Sequence, residues 1–443
     1  MQIVPVDTII HARWVAPVIP QGTLLHQYAV VLQAGKILDV CPQADAVRYQ
    51  AQEEVHLDTH VLIPGLINLH THAAMALMRG LADDKPLMPW LQQHIWPAEQ
   101  ALVSPDFVHD SSLLACAEML KGGITTFNDM YFFPQATAEA SLQAGMRANL
   151  GLVVLEFATR YASHAAEYIE KGLDARDSWR TEPLISSCFA PHAPYTVSDA
   201  TFERVMTYAA QLNMGIHTHL HETTAEIAES EQKHHLRPLA RLANLGLLGP
   251  QVSFAHAVHL QPQEMTLLAE SGCHIAHCPS SNLKLASGIA PIRQYLEHRI
   301  NIGLGTDGAA SNNRLDMFTE MRTAALLAKG SSGDAETLPA HQALEMATIN
   351  GAKALGLEDK VGSIEIGKYA DLTAVRLDAW EVAPVFDPVS HLVYAAGREH
   401  VSHVWVNGAL QYQDGVYRGI EPQELQAILA KWQPVVAKYG RTL

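Results

Sequence analysis

The sequence predicts an α/β chain: a (β/α)8 TIM barrel carrying a small β-sandwich domain built from the N- and C-terminal segments. Three observations lead there. Eight apolar, β-branched runs alternate with helical stretches through the middle of the chain, the alternation of a parallel sheet with crossover helices. Several of these runs end in His or Asp, gathering polar groups at C-terminal strand ends as a barrel mouth requires. Before and after this region the pattern reverts to short strands and turns. A doubly wound open sheet is the competing architecture, and polar ends contributed by several separate strands decide against it.

The elements follow in order. The N-terminal segment, residues 1–59, supplies strands at Thr8–Ala12 and Tyr28–Ala34, the second followed by a turn at Gly35. The barrel is expected over 60–360, with strands near 61–69, 123–128, 147–154, 184–190, 214–220, 252–256, 273–277 and 300–306. Helical stretches such as Ser111–Lys121 and Asp199–Leu212 lie between them. Residues 361–443 return to strands: Gly362–Gly367 leads into Asp371–Val375, and Val401–Val406 meets Asn407-Gly408, a strong hairpin turn. A helical tail over Pro422–Tyr439 closes the chain. With 443 residues, 48% of them hydrophobic, the chain can fill one large core and a smaller one.

Charge and cysteine usage narrow the function class. A net charge of −16 repels nucleic acid and acidic membrane surfaces on average, so the expected partner is a small molecule. No apolar run approaches membrane-spanning length, and the N-terminus lacks a basic region followed by an apolar stretch. Five cysteines without a CxxC pair read as reduced thiols of a cytoplasmic protein.

The chemistry begins at His70 and His72. Residues two apart at the end of a strand point the same way, with Cα atoms roughly 6–7 Å apart, so two imidazoles can meet one ion. His217, His219 and His221 share one strand face by the same period, and on spacing alone any of them could be a ligand. Glu222 follows where that strand ends. His256, His277 and Asp307 end three further runs, Asp307 among glycines. Imidazole nitrogens and a carboxylate suit a zinc ion, which lowers the pKa of bound water from about 15.7 towards 7. Glu222 beside it is placed to carry a proton, and the reaction class is attack of water on an sp² carbon.

These residues resemble the amidohydrolase superfamily over nearly the whole chain. Pro64–His72 (PGLINLHTH), His219–Glu222 (HLHE), His277–Asn282 (HCPSSN) and Gly305–Asn313 (GTDGAASNN) look like its aminohydrolase branch. His72–Gly80 and Asn282–Leu285 look like the 5′-methylthioadenosine/S-adenosylhomocysteine deaminases. The resemblance implies one zinc ion per chain, held by His70, His72, His219 and Asp307, and it selects His219 because the family's ligand lies three residues before the catalytic Glu. Binuclear relatives carry a bridging Lys at the end of the fourth strand, where this chain reads Ile185–His192 without one.

By the same resemblance Glu222 protonates the ring nitrogen beside the attacked carbon, His256 contacts the attacking water, and Asp307 shuttles its proton to departing ammonia. Glu99 matches a ribose-binding carboxylate and His192 a purine-contacting histidine, while Trp90 is a candidate apolar wall. An exposed helix-start Glu, a loop His between prolines and a helix-packing Trp are the plain structural readings of these three. Relatives that favour S-adenosylhomocysteine place arginines just past the third strand, where this chain's first is Arg160. That favours 5′-methylthioadenosine, whose tail is uncharged, with S-adenosylhomocysteine or adenosine as further substrates. The alternatives are hydrolysis of another N-heterocycle (guanine, pterin, triazine) on the same scaffold, or a catalytically inactive amidohydrolase-fold binding protein. The resemblance also implies a homo-oligomer.

Overall fold

The computed structural model describes residues 3–440. The N-terminal segment forms β1 (Val4–Val15), β2 (Leu25–Gln33), β3 (Lys36–Pro42) and β4 (Tyr49–Pro64). Eight strands then build the barrel: β5 (Leu66–Thr71), β6 (Ile124–Tyr131), β7 (Arg147–Val154), β8 (Ile185–Pro191), β9 (Gly215–Leu220), β10 (Val252–His256), β11 (His274–His277) and β12 (Asn301–Leu304). They pair in sequence order, all parallel. Strands β6 and β7 are buried at every residue, as expected for parallel strands packed on both faces.

The last and first barrel strands meet through β5 and the turn after β12. Asp307 N donates to His70 O at 2.9 Å, and Asn68 bridges the seam, its Nδ2 donating to Thr306 Oγ1 at 2.8 Å and its Oδ1 accepting from Thr306 N at 2.9 Å. Gly305 permits this approach, since a Cβ there would lie 2.8 Å from His70 N. The closure thus places His70 and Asp307, far apart in sequence, on neighbouring backbone.

After the barrel, β13 (Leu372–Arg376), β14 (Val401–Val406), β15 (Ala409–Gln413) and β16 (Val416–Tyr417) join the N-terminal strands in one sheet of order β16-β15-β14-β13-β4-β1-β2-β3. The two ends of the chain therefore form a separate β unit. It is one continuous hydrogen-bonded sheet, with Ile10, Val30, Leu62, Leu372 and Trp405 in a core of its own. A buried bidentate pair, Arg147 Nε and Nη2 to Asp371 at 3.0 and 3.1 Å, fastens it to the start of β7.

One predicted strand is divided. The apolar run expected over 61–69 is split at Gly65: Val61–Pro64 pairs with β1 and β13 in the terminal sheet, and Leu66–Thr71 pairs with β6 in the barrel. The pivot is crowded, because a Cβ on Gly65 would lie 2.2 Å from Thr125. The tail helix, Pro422–Val436, lies against the helix Pro105–Lys121. There Trp432 Nε1 donates to Asp110 Oδ2 at 2.7 Å, and its ring meets Phe107 edge-on at 5.1 Å. No helix among the described residues is long and apolar enough to cross a membrane, and all five cysteines are free and buried.

Candidate metal centre and catalytic pocket

His70 and His72 leave the end of β5, His219 lies on β9, and Asp307 follows β12. One donor atom from each of the three histidines lies within 4.8 Å of the others, and His70, His256 and Asp307 satisfy the same test. Asp307 Oδ1 is 3.4 Å from His70 Nε2 and 3.2 Å from His72 Nε2.

Each of these three rings is held by its far nitrogen. His72 Nδ1 donates to Met130 O at 2.6 Å and His219 Nδ1 to His192 O at 2.7 Å. His70 Nδ1 is 2.8 Å from His217 Nε2, and His217 Nδ1 is 2.7 Å from Ser253 Oγ. Donation outward along these bonds leaves the Nε2 lone pairs directed at one point. His70 Nε2 is buried and has no hydrogen-bond partner. An unsatisfied buried nitrogen among nitrogen and oxygen donors fits a divalent transition ion such as zinc.

Burial and the Asp307 charge set the electrostatics of the cluster. Burial pushes His70 down to about 4 and His219 well below its ordinary value, so both are neutral at physiological pH. Burial also opposes charge on His72, but Asp307 beside it outweighs this and pulls the ring up to about 9. Burial would raise Asp307, yet His70 and His72 hold it well below the usual carboxylate range. Asp307 Oδ2 accepts from Ser281 Oγ at 2.6 Å and Ser311 Oγ at 2.8 Å, and Oδ1 accepts from Gly308 N at 2.7 Å. Backbone strain concentrates here, with φ of +60° at Asp307 and +70° at His256, each costing of order 1–3 kcal/mol.

Beside this cluster, His256 Nδ1 donates to Asn282 Oδ1 at 2.8 Å, leaving Nε2 bare and 3.8 Å from Glu222 Oε2. Glu222 Oε1 accepts from Ser287 Oγ at 3.3 Å. Burial, partly offset by His256, pushes the Glu222 carboxyl up, which suits a group that must hold a proton near neutral pH.

A cavity of about 390 Å³ opens from these groups, within the range of small-molecule sites. It is lined by His72, His219, Glu222, His256 and Asp307, and also by Trp90, Glu99, Arg160 and His192. Of the ten residues to which the resemblance gives a metal, catalytic or binding role, nine therefore line one cavity, and the tenth, His70, sits behind it among the clustered donors. Glu99 accepts from Tyr131 OH at 2.7 Å; burial pushes its carboxyl up to about 7, with the Tyr131 bond pulling the other way. His192 Nδ1 is 2.9 Å from Thr196 Oγ1, and burial lowers the ring to about 3. Trp90 is buried, its Nε1 without a partner, and Arg160 is exposed.

The supporting groups were not assigned from sequence: Tyr131, His217, Ser281, Ser311, Asn282 and Ser287. The signal was partly present. His217 shares the strand face of His219, and Ser281, Asn282 and Ser311 sit in the short helices Pro279–Lys284 and Ala309–Asn312 that follow β11 and β12. Which oxygen or nitrogen each one meets depends on barrel closure.

The amidohydrolase family matches residues 61–410. The chain belongs to the amidohydrolase family. This amidohydrolase is 46% identical over 429 residues, 97% of each chain, to a Teredinibacter turnerae protein named 5-methylthioadenosine/S-adenosylhomocysteine deaminase. It is equally similar to the Saccharophagus degradans protein of the same name, over 97% of this chain and 96% of that one. An adenosine deaminase from Xanthomonas campestris, solved with bound zinc, superposes with a TM-score of 0.97 at 46% identity, covering 98% of this chain and 100% of its own. The zinc complex of atrazine chlorohydrolase from Arthrobacter aurescens TC1 shares the architecture more distantly, with a TM-score of 0.88 and 25% identity over 97% of this chain and 100% of that one. The amidohydrolase is a metal-dependent aminohydrolase.

Proposed function

We propose that the protein hydrolytically deaminates a 5′-thio-substituted adenosine, foremost 5′-methylthioadenosine to 5′-methylthioinosine and ammonia, with one zinc ion held by His70, His72, His219 and Asp307. The observation that carries this reading is the convergence of that donor set, Glu222 and His256 on one cavity that also contains Glu99 and His192. The deaminase names of relatives 46% identical over nearly the full chain support the substrate class.

Zinc at these ligands supplies water of lowered pKa, from about 15.7 towards 7, and so hydroxide at neutral pH. The chain's own groups do the rest. Glu222, its carboxyl raised by burial, donates to the ring nitrogen beside the amino-bearing carbon, and the electron pair of the C=N bond moves onto that nitrogen. His256 Nε2, left bare by the Asn282 bond, accepts from the attacking water and orients it. Asp307, held by Ser281 and Ser311 at Oδ2 and by Gly308 N at Oδ1, carries a water proton to the amine. The amine leaves as ammonia, the carbonyl forms, and the ring nitrogen keeps the proton from Glu222, which water restores.

Glu99 accepts the ribose hydroxyls, with Tyr131 fixing one of its oxygens. Beyond the sugar the lining turns apolar, with Leu155 and a Trp96–Phe157 ring pair at 5.8 Å. That suits a methylthio tail, and among the described residues of the lining Arg160 is the one Lys or Arg available to a carboxylate. The buried free thiols favour a cytoplasmic enzyme acting on a diffusible nucleoside.

Ammonia release from 5′-methylthioadenosine, S-adenosylhomocysteine, adenosine, guanine and a chlorotriazine tests the reading. The expected order of kcat/KM puts 5′-methylthioadenosine first and guanine at background. Preferential turnover of guanine or the triazine overturns it, and so does a purified protein with no tightly held divalent ion.

A further inference from the structure

A second cluster of metal-type donors lies in the terminal sheet. Alternation along β4 turns Glu54, His56 and Asp58 towards solvent, while Leu57 is buried. Strand β1 runs parallel beside β4, and His11 is the register partner of His56. Strands about 4.8 Å apart hold such partners side by side, and the two imidazoles stack with centroids 4.8 Å apart and planes 6° from parallel. Glu54 Oε2 lies 3.6 Å from His11 Nε2 and 3.7 Å from His56 Nε2. All three donor atoms fall within 4.8 Å of one another.

A tetrahedral ion with bonds of about 2.0–2.1 Å separates its ligand atoms by roughly 3.4 Å. Both Glu–His spacings come within a few tenths of an ångström of that value, and the exposed His56 ring must turn out of its stack on the half-buried His11 for both lone pairs to meet one ion.

We propose that His11, Glu54 and His56 form a second site for a divalent transition ion, separate from the catalytic centre, which clips β1 to β4. Two imidazoles and a carboxylate are a ligand set for zinc, nickel or copper rather than calcium or magnesium. The exposed side of the cluster leaves coordination positions for water. The clip has a structural consequence: β4 continues through Gly65 into β5, the strand that carries His70 and His72. An ion bound only when β1 and β4 are paired stabilises the folded sheet in proportion to the logarithm of its free concentration.

The test uses the holoenzyme, dialysed free of loosely held metal and titrated with Ni²⁺ by calorimetry, with melting temperature followed in parallel. The wild type is expected to take up one equivalent beyond its catalytic ion and to melt higher as Ni²⁺ rises. His11→Ala with His56→Ala is expected to lose both the extra equivalent and the Ni²⁺-dependent shift, keeping the catalytic metal and wild-type turnover. Glu54→Gln should retain uptake at about tenfold weaker affinity. His56→Ala alone changes an exposed side chain and gives the same readout should the double variant fail to fold. Equal uptake and equal shifts in wild type and variants overturn the site, as does a wild type that binds no extra ion.

Discussion

The two ends of the catalytic cavity are built differently. At the metal end every group is borne by a strand terminus and tied behind: His72, His219 and His70 through Nδ1 at 2.6–2.8 Å, and Asp307 through two hydroxyls and a backbone amide. At the far end, Trp90 and Glu99 ride on short helices, while Phe157 and Arg160 lie in the stretch 155–164, which has no helix or strand. Glu99 makes one side-chain bond there, to Tyr131. On the proposed function, the chemistry is held by the barrel and the choice of substrate by its loops, and changes at the two ends should differ in kind as well as size.

The largest effect is expected from breaking the ligand set. His219→Ala and Asp307→Asn should each lose bound metal and take turnover to background, measured by metal analysis beside ammonia release. Chelation of the wild type should do the same reversibly, with zinc restoring activity. Next come the groups behind the ligands. Ser281→Ala combined with Ser311→Ala frees Asp307 Oδ2 and should weaken metal affinity about 10–100-fold, read by chelator competition.

Glu99→Gln probes the far end. It should act mainly through KM, lowering kcat/KM for nucleosides by about tenfold at pH 8, the loss of one charge-assisted hydrogen bond. The sign of its pH dependence is fixed by the upward shift to about 7. The ionised carboxylate is the form that accepts ribose hydroxyls, so KM should rise as pH falls through about 7, and Glu99→Gln should flatten that limb. For stability the same shift runs the other way. The folded state favours the protonated acid, a contribution complete below the ordinary carboxyl range and lost as pH climbs through about 7. The melting temperature of Glu99→Gln should accordingly fall less than that of the wild type over this interval. The smallest effect is expected at Arg160. Arg160→Ala should leave 5′-methylthioadenosine turnover within about twofold and reduce S-adenosylhomocysteine turnover more, a charged contact in an exposed setting being weak.

The same division explains what could be read in the sequence. Strand-end polar residues are legible because a parallel strand is an apolar run and its last residues are not, so His70, His72, His219, His256 and Asp307 announced themselves. The barrel strands after the first lie within a few residues of expectation for the same reason. The split at Gly65 was not legible, since Val61–Pro64 and Leu66–Leu69 form one run broken only by Gly65 and Asn68, and their pairing partners alone divide it. Neither was the use of His217 behind His70, because strand period places His217 and His219 on one face without saying which lies deeper. Tyr131, at the end of β6, reaches Glu99 on its short helix, a meeting that sequence spacing does not show.

Glu222→Gln tests the central claim most directly, because it removes a proton carrier and leaves all four ligands in place. Metal content and single-turnover rate with 5′-methylthioadenosine should be measured on the same preparation. Wild-type metal content with a rate lower by about 10²–10⁴-fold is the expected result. Wild-type metal content with a near-wild-type rate would contradict the account.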